Sequence, residues 1–384
     1  MKEKKLLIVG LSLNKLADLL ISAKTTLTAV LLSVGAPVWM VGWLVPIRES
    51  GALLPQVLIS IYLRKHSQRH IVWRIGMAIQ AFAVVGMLFS VIFFSSFTAG
   101  ALLLISLVFL SLGRSACSLT VKDMEADVAE KGERGNLIGF ASTISGVVTL
   151  LVSIPLVVID DNLSSNVLLL ILSGSLLSFV LTLVCVWPIK TSVDTGSDEQ
   201  KAFSINFDST IYKFIFVRGL FVHSALVAPY FMIEKNSDAQ ELLPIYIAAE
   251  ALAALLSSVV WGKLADKSAK LTLQLSGVLA LCACGGLLYW QSASIATSAF
   301  LFFLLSIAHT GVRTGRKTYS LDVKDGHQRT ELVGFSNTAI GVILLAFGAL
   351  YAALTPFLPF SVVYIMAGVL VFAVVMTVIL PSEK

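Results

Sequence analysis

Arg114, His309, Arg313 and Glu250 stand in runs of this chain that are otherwise suited to lipid, and their types and spacing could do chemistry. A guanidinium holds a carboxylate or phosphate through a planar fork of donors, so arginines in such a place point to anion binding. Imidazoles and carboxylates held away from water are the groups that exchange protons near neutrality. On these grounds the candidate ligand contacts are Arg114, His309, Arg218, Arg313, Lys24 and Arg48, and the candidate proton-exchanging groups are Glu250, His223, Asp18 and Glu49. An ionisable group at the bilayer centre costs roughly 3 kcal/mol or more, so each needs a partner or a water-filled cavity.

The spacing suggests how they are arranged. Asn14, Asp18, Ser22 and Thr25 form a polar stripe at helical period, with Lys24 close to mid-span, and His309 and Arg313, four apart, share one helix face. Lys24 and Glu49 are expected to form a permanent salt bridge, and His223 and Glu250 a titrating pair. Arg48, beside Glu49 but about 100° away around the helix, then faces the cavity or the interface between halves. Arg114 has a structural alternative to ligand contact, which is pairing with Asp18 or Asp123.

The elements that must position these groups are membrane helices. Hydrophobic residues make up 57% of the 384-residue chain and charged residues only 13%, and the mean hydropathy is +0.89. That composition excludes an ordinary soluble domain. Runs of about 20 apolar residues recur about twelve times, each enough to cross a hydrocarbon core about 30 Å thick. They fall near 9–34, 38–62, 71–94, 99–122, 136–159, 165–188, 210–233, 240–262, 271–291, 296–317, 332–354 and 358–381. Lys and Arg concentrate in alternate loops, which places both termini in the cytoplasm and the chain in the plasma (inner) membrane. Trp39, Trp73, Trp187, Trp261 and Trp290 fall near the expected helix ends, where the headgroup region favours indoles. The net charge of +5 therefore reflects membrane topology and not nucleic-acid binding. Cys117, Cys185, Cys282 and Cys284 lie within helices as packing residues. His66 and His70, four apart, read as part of a solvated basic turn. The first segment carries Asn14, Lys15 and Asp18 and reads as a retained helix.

The polar stretch IKTSVDTGSDEQKAFSINFDS, 189–209, separates a six-helix bundle over 1–188 from another over 210–384. The halves repeat each other. KDMEADVAEKGERGNLIGFAST (122–143) aligns without a gap on KTYSLDVKDGHQRTELVGFSNT (317–338), pairing Asp127 with Asp322, Arg134 with Arg329 and Gly139 with Gly334. The same register pairs Arg114 with His309, one from each half. A weaker match places IYLRKHSQR (61–69) on GKLADKSAK (262–270) and Glu49 opposite Glu250.

GKLADKSAK resembles the signature between adjacent helices of the major facilitator superfamily, and the two six-helix halves with a polar central loop are similar to that superfamily along the whole chain. The first-half copy departs from the signature, with Ile61 and Lys65 where glycine and aspartate are usual. The resemblance implies an all-α integral membrane protein of two pseudo-symmetric bundles whose first, fourth, seventh and tenth helices line a central cavity. It implies a conformational lock at Asp266 against the start of the fifth helix near Asn136. Asp127 with Arg134, and Asp322 with Arg329, are expected to order the equivalent loops.

The expected function is a secondary active transporter, working by alternating access and coupled to protons, that moves a small organic anion or zwitterion. An exporter of a larger amphipathic compound, such as a drug or siderophore, and a non-cycling membrane receptor remain as alternatives. The expected partners are the lipid bilayer, the small-molecule substrate and protons, with no nucleic acid and a monomeric state. No cofactor, metal or enzymatic constellation is implied, and the cytoplasmic loops are too short for a catalytic domain.

Overall fold

The computed structural model describes residues 2–65, 68–128, 143–154, 165–191, 209–234, 239–290, 294–322 and 326–381. In chain order these form α1 (Lys2–Leu20), α2 (Thr26–Ser33), a 3-10 turn (Val38–Trp43), α3 (Leu44–Leu53), α4 (Gln56–Lys65), α5 (Arg69–Phe93) and α6 (Ser96–Val128). A shorter apolar helix, α7 (Thr143–Ile154), follows. The rest are α8 (Ser165–Val186), α9 (Ser209–Phe221), α10 (His223–Leu226), α11 (Tyr230–Ile233), α12 (Ala239–Lys267), α13 (Ala269–Tyr289), α14 (Ile295–Asp322), α15 (Gly326–Leu354) and α16 (Val363–Met376).

Eight of the described segments are long and apolar enough to cross a membrane. The other four expected spans are interrupted or shorter: α1 with α2, the 3-10 turn with α3 and α4, α7, and α16. The interruptions have local causes. Pro55 follows Leu53–Leu54 and lacks an amide proton, which separates α3 from α4. Between α9 and α11 the chain makes tight turns before Pro229, again at mid-span.

Helices α1 to α6 and α8 pack mainly on one another, as do α9 to α14 and α16, whereas α15 packs mainly on the first group and Gly146 of α7 meets Leu255 of α12. The two groups meet where α3 and the 3-10 turn lie along α15, and where α2 touches α12. Ser50 Oγ donates to the Gly341 carbonyl across this seam at 2.8 Å. Further along it, a Cβ added to Gly348 would collide with Pro46 Cγ, so the seam closes because position 348 has no side chain. Outward faces carry Phe82, Leu170, Val259, Val260 and Val375, all more than half exposed in the protein alone and therefore available to lipid. Some inward hydroxyls are absorbed by their own helices: Ser111 donates to the Leu107 carbonyl and Thr182 to that of Ser178, both at 2.7 Å.

The repeat is visible at the helix ends. Arg74 donates to the Trp187 carbonyl at 2.5 Å just past the end of α8 and lies 4.5 Å from the Trp187 ring centroid. Lys270 donates to the Val378 and Leu380 carbonyls, at 3.3 and 3.1 Å, just past α16. A cation at each C-terminus satisfies carbonyls the helix leaves open and complements its dipole. Trp187 and Trp290, about half exposed, suit the membrane interface. Trp73 and Trp261 do not, contrary to expectation, because both are buried. Trp261 Nε1 donates to the Ile307 carbonyl at 2.9 Å and so ties α12 to α14.

α5 and α6 make the tightest helix pair. A Cβ on Gly113 would sit 2.5 Å from the Gly76 carbonyl oxygen, and one on Gly76 2.7 Å from that of Gly113. Backbone cannot yield as a side-chain tip can. Gly113→Ala should therefore lower the thermal stability of the purified protein by about 1–3 kcal/mol, whereas Gly262→Ala, with nothing within 4 Å, should not. Equal melting temperatures for the two variants would contradict this close approach.

Candidate functional site

The site begins at the break in the first span. α1 ends at Leu20 and α2 begins at Thr26, so residues 21–25 turn at mid-membrane and project Ser22 and Lys24 toward α12. Ser22 Oγ donates to Glu250 Oε2 at 3.1 Å, and Lys24 Nζ stands 3.7 Å from Glu250 Oε1. This contact joins the two helix groups. The expected pairing of Lys24 with Glu49 is thus replaced by one across the interface, because the turn at 21–25 redirects Lys24 away from its own half.

One turn earlier, Asp18 gathers two arginines. Arg48 Nη2 donates to Asp18 Oδ1 at 2.5 Å and Arg114 Nη1 donates to the same oxygen at 2.8 Å. Arg48 is only 5% exposed, and its Nη1 has no partner. The Arg114 side chain is 33% exposed. Arg48 is therefore enclosed between α1 and α3, not facing open space, while Arg114 makes the pairing with Asp18 that was its structural alternative and stays partly exposed.

Glu49 points elsewhere, as adjacent positions on a helix must. Among the described residues it makes no hydrogen bond or ion pair, and it lies in the electric field of Arg114 and Lys24 from its own group and of Arg316 and Arg313 from α14. On α14, His309, Arg313 and Arg316 share one face. His309 Nδ1 is 3.4 Å from Ser224 Oγ and senses the charge of Lys24 in the other group. Arg313 and Arg316 form no hydrogen bond or ion pair among the described residues. Arg313 lies close enough to Lys15, Lys24 and Glu49 for its charge to act on them.

Two candidates are occupied in their own half. Arg218 is buried, donating to Ser336 Oγ and Asn337 Oδ1 at 2.8 Å each and so tying α9 to α15. His223 does not reach Glu250. Its Nδ1 donates to the Leu220 carbonyl at 2.8 Å, Nε2 accepts from Tyr351 Oη at 2.6 Å, and Phe347 packs on the ring at 4.5 Å. Both nitrogens are used by neutral partners, so the expected titrating pair is absent.

Asp266 is exposed at the end of α12, and Asn136, the expected start of its partner helix, lies outside the described residues. So does Arg134, as do the side chains of Asp127, Asp322 and Arg329. Arg316 is the residue that sequence reasoning undervalued. Its signal was its position three after Arg313 and seven after His309, on the face those two define.

No protein-family model matches the sequence, and no curated protein matches it. Solved structures do match. The inward-open xylose transporter XylE from E. coli is similar with a TM-score of 0.70 at 11% identity, covering 99% of this chain and 96% of that one. The nucleoside transporter NupG, in a mutant form, gives 0.72 at 12% identity, covering 98% of each chain. A POT family transporter in complex with 5-aminolevulinic acid gives 0.72 at 9% identity, covering 98% of this chain and 94% of that one. At such identities the likeness is one of fold, and this chain is a multi-pass, all-α membrane protein with the major facilitator fold.

Proposed function

We propose that this protein is a secondary active transporter that carries a small organic anion across the membrane by alternating access, coupled to protons through Glu250. The observation that carries the reading is the mid-membrane constellation between the helix groups, where, among the described residues, Lys24, Arg114, Arg313 and Arg316 outnumber the carboxylates Asp18, Glu49 and Glu250. Charges are retained at that depth when they serve a pathway, and a midplane site between two repeats is where alternating access needs its ligand. The fold shared with sugar, nucleoside and peptide transporters is consistent with this.

In the proposed cycle, Glu250 holds Lys24 across the interface while deprotonated. Protonation removes the charge that attracts Lys24, so the two groups can part. Lysine and arginine content of alternate loops supports an orientation with both termini in the cytoplasm of an inner membrane.

The test is uptake into vesicles containing the purified protein under an imposed pH gradient, with a panel of organic anions. Proton movement that depends on an added anion is the expected result. Its absence across the panel would favour a non-cycling receptor, and gradient-driven export of neutral amphiphiles would favour the exporter. Glu250→Gln should abolish accumulation against a gradient while leaving anion exchange at equilibrium; full accumulation by this variant would remove Glu250 from the coupling step.

A further inference from the structure

Two contacts between the helix groups have the same form. A Cβ added to Gly341 of α15 would lie 2.8 Å from Leu54 Cγ and 2.9 Å from its Cδ2. A Cβ added to Gly146 of α7 would lie 2.8 Å from Leu255 Cδ2 and 2.9 Å from its Cγ. Each leucine therefore fills the space that a side chain on the facing glycine would take. The internal repeat makes the two contacts equivalent. The register that sets Asp127 against Asp322 pairs Gly146 with Gly341, and the one that sets Glu49 against Glu250 pairs Leu54 with Leu255. Each half thus gives a leucine to the other half's glycine and receives one in return, the reciprocity that a two-fold axis imposes on an interface.

Both contacts sit near the middle of the membrane. Leu54, Gly146, Leu255 and Gly341 all fall within four residues of the centres of their spans, 38–62, 136–159, 240–262 and 332–354, which is about 6 Å along a helix. Because the pseudo-two-fold axis carries one contact onto the other, they lie on opposite sides of it, and the line between them runs along the interface. The hydrogen bond from Ser50 to the Gly341 carbonyl is not part of the common form, since Ala251 stands where the repeat would need a second Ser50. What the contacts share is a leucine against bare backbone. Such a side chain can turn in place by exchanging dispersion contacts of about 0.1–0.2 kcal/mol each, with no facing side chain to clear. Toward the end that carries Val34 the α15 seam continues, with Pro46 against Gly348 and Gly42 against Ala352.

We propose that Leu54 on Gly341 and Leu255 on Gly146 are the two bearings of this protein: they stay in contact while the helix groups rock about the line that joins them, so that the two ends open in turn. The inference rests on the transporter reading and goes beyond it by naming where the groups do not part. Glu250 stands five residues before Leu255, about 8 Å along α12 toward the end that carries Val34. Its contact with Lys24 is therefore off the line and parts when that end opens.

The experiment links the bearings covalently in the full-length protein, purified in a background without the native cysteines. Leu54→Cys would set Sγ near the present Cγ position, 2.8 Å from a Cβ at 341, which suits a disulfide with its S–S bond of about 2 Å. Gly341→Cys completes that pair, and Leu255→Cys with Gly146→Cys makes the other. Spin labels on Phe94→Cys and Phe357→Cys, attached after oxidation, report distances at the end that carries Val34, in acid and in neutral buffer. The reduced protein should show two distances, and oxidation of either pair or both should leave both populated. A link at the end of the seam, between Gly42→Cys and Ala352→Cys, should instead reduce one of them about tenfold or more. The reduced form of each variant is its own reference, so a folding defect shows before any link is made. Disulfides that fail to form at the bearings, their oxidation leaving one distance, or an end link that leaves both would overturn the bearings and keep the transporter reading. A single distance in the reduced protein under both conditions would refute alternating access itself.

Discussion

Asp18→Asn should destabilise the protein by about 3–5 kcal/mol, the range seen when one partner of a buried ion pair is removed. The side chains explain the size. Asp18 Oδ1 accepts from Arg48 and Arg114, and Arg48 is 5% exposed, with one nitrogen already lacking a partner. Asparagine keeps an acceptor oxygen but not the charge, so a guanidinium would be left buried without compensation. Arg114, with a side chain 33% exposed, can turn toward water when its partner is lost; Arg48 cannot. The rescue pattern follows from that difference. Adding Arg48→Met to Asp18→Asn should recover most of the lost stability, because it removes the stranded charge and fills its volume, whereas adding Arg114→Gln should recover little. Thermal unfolding of the three variants in detergent measures this directly. Rescue by Arg114→Gln and not by Arg48→Met would mean that the wrong arginine has been taken as the buried one.

The second large effect concerns the contact between the helix groups. Lys24→Glu would set two carboxylates where an ammonium and a carboxylate now stand 3.7 Å apart, with side chains only 17% and 19% exposed. Attraction across the interface becomes repulsion, which should shift the balance between closed and separated arrangements by roughly 1–3 kcal/mol, or about fivefold to 150-fold in population. Uptake should be lost, and distances between spin labels at Phe94 and Phe357 should redistribute in a background without the native cysteines. Those two residues lie on different helix groups near the end that carries Val34 and Trp39. The double variant Lys24→Glu with Glu250→Lys restores opposite charges at the same separation and should recover a large part of the original distribution. If Lys24→Glu alone leaves the distances unchanged, the pair does not bear on the interface. Unlike a simple loss of Glu250, the exchange tests sign, so a general packing defect could not imitate recovery.

Much of this architecture was legible in the chain itself. The recurrent apolar runs specify membrane helices because lipid offers no partner for an open backbone or a stray charge, and the spans read in this way fall on the helices observed. The stretch VPIRESGALLPQ, with two prolines, a glycine and adjacent charges, lies within the second span as the internal repeat implies, and Arg48 is buried in α3. Helical period also placed His309 and Arg313 on one face.

Pairing was another matter. From period alone, Lys24 goes with Glu49 and His223 with Glu250, since each pair sits at mid-span on adjacent helices. Lys24 instead reaches Glu250 because the first span breaks at 21–25, and His223 is taken by Tyr351, which lies far along the chain on α15. Trp73 and Trp261 were misread for a related reason: nearness to a helix end says nothing of which side faces lipid. By itself, then, the sequence determined where the membrane helices lie and which of them carry charge, because burial energy acts on each residue type wherever it stands. Only the tertiary structure decided which charge meets which, because a Coulomb contact falls off over a few ångströms and depends on breaks, rotations and helix neighbours that no single segment encodes.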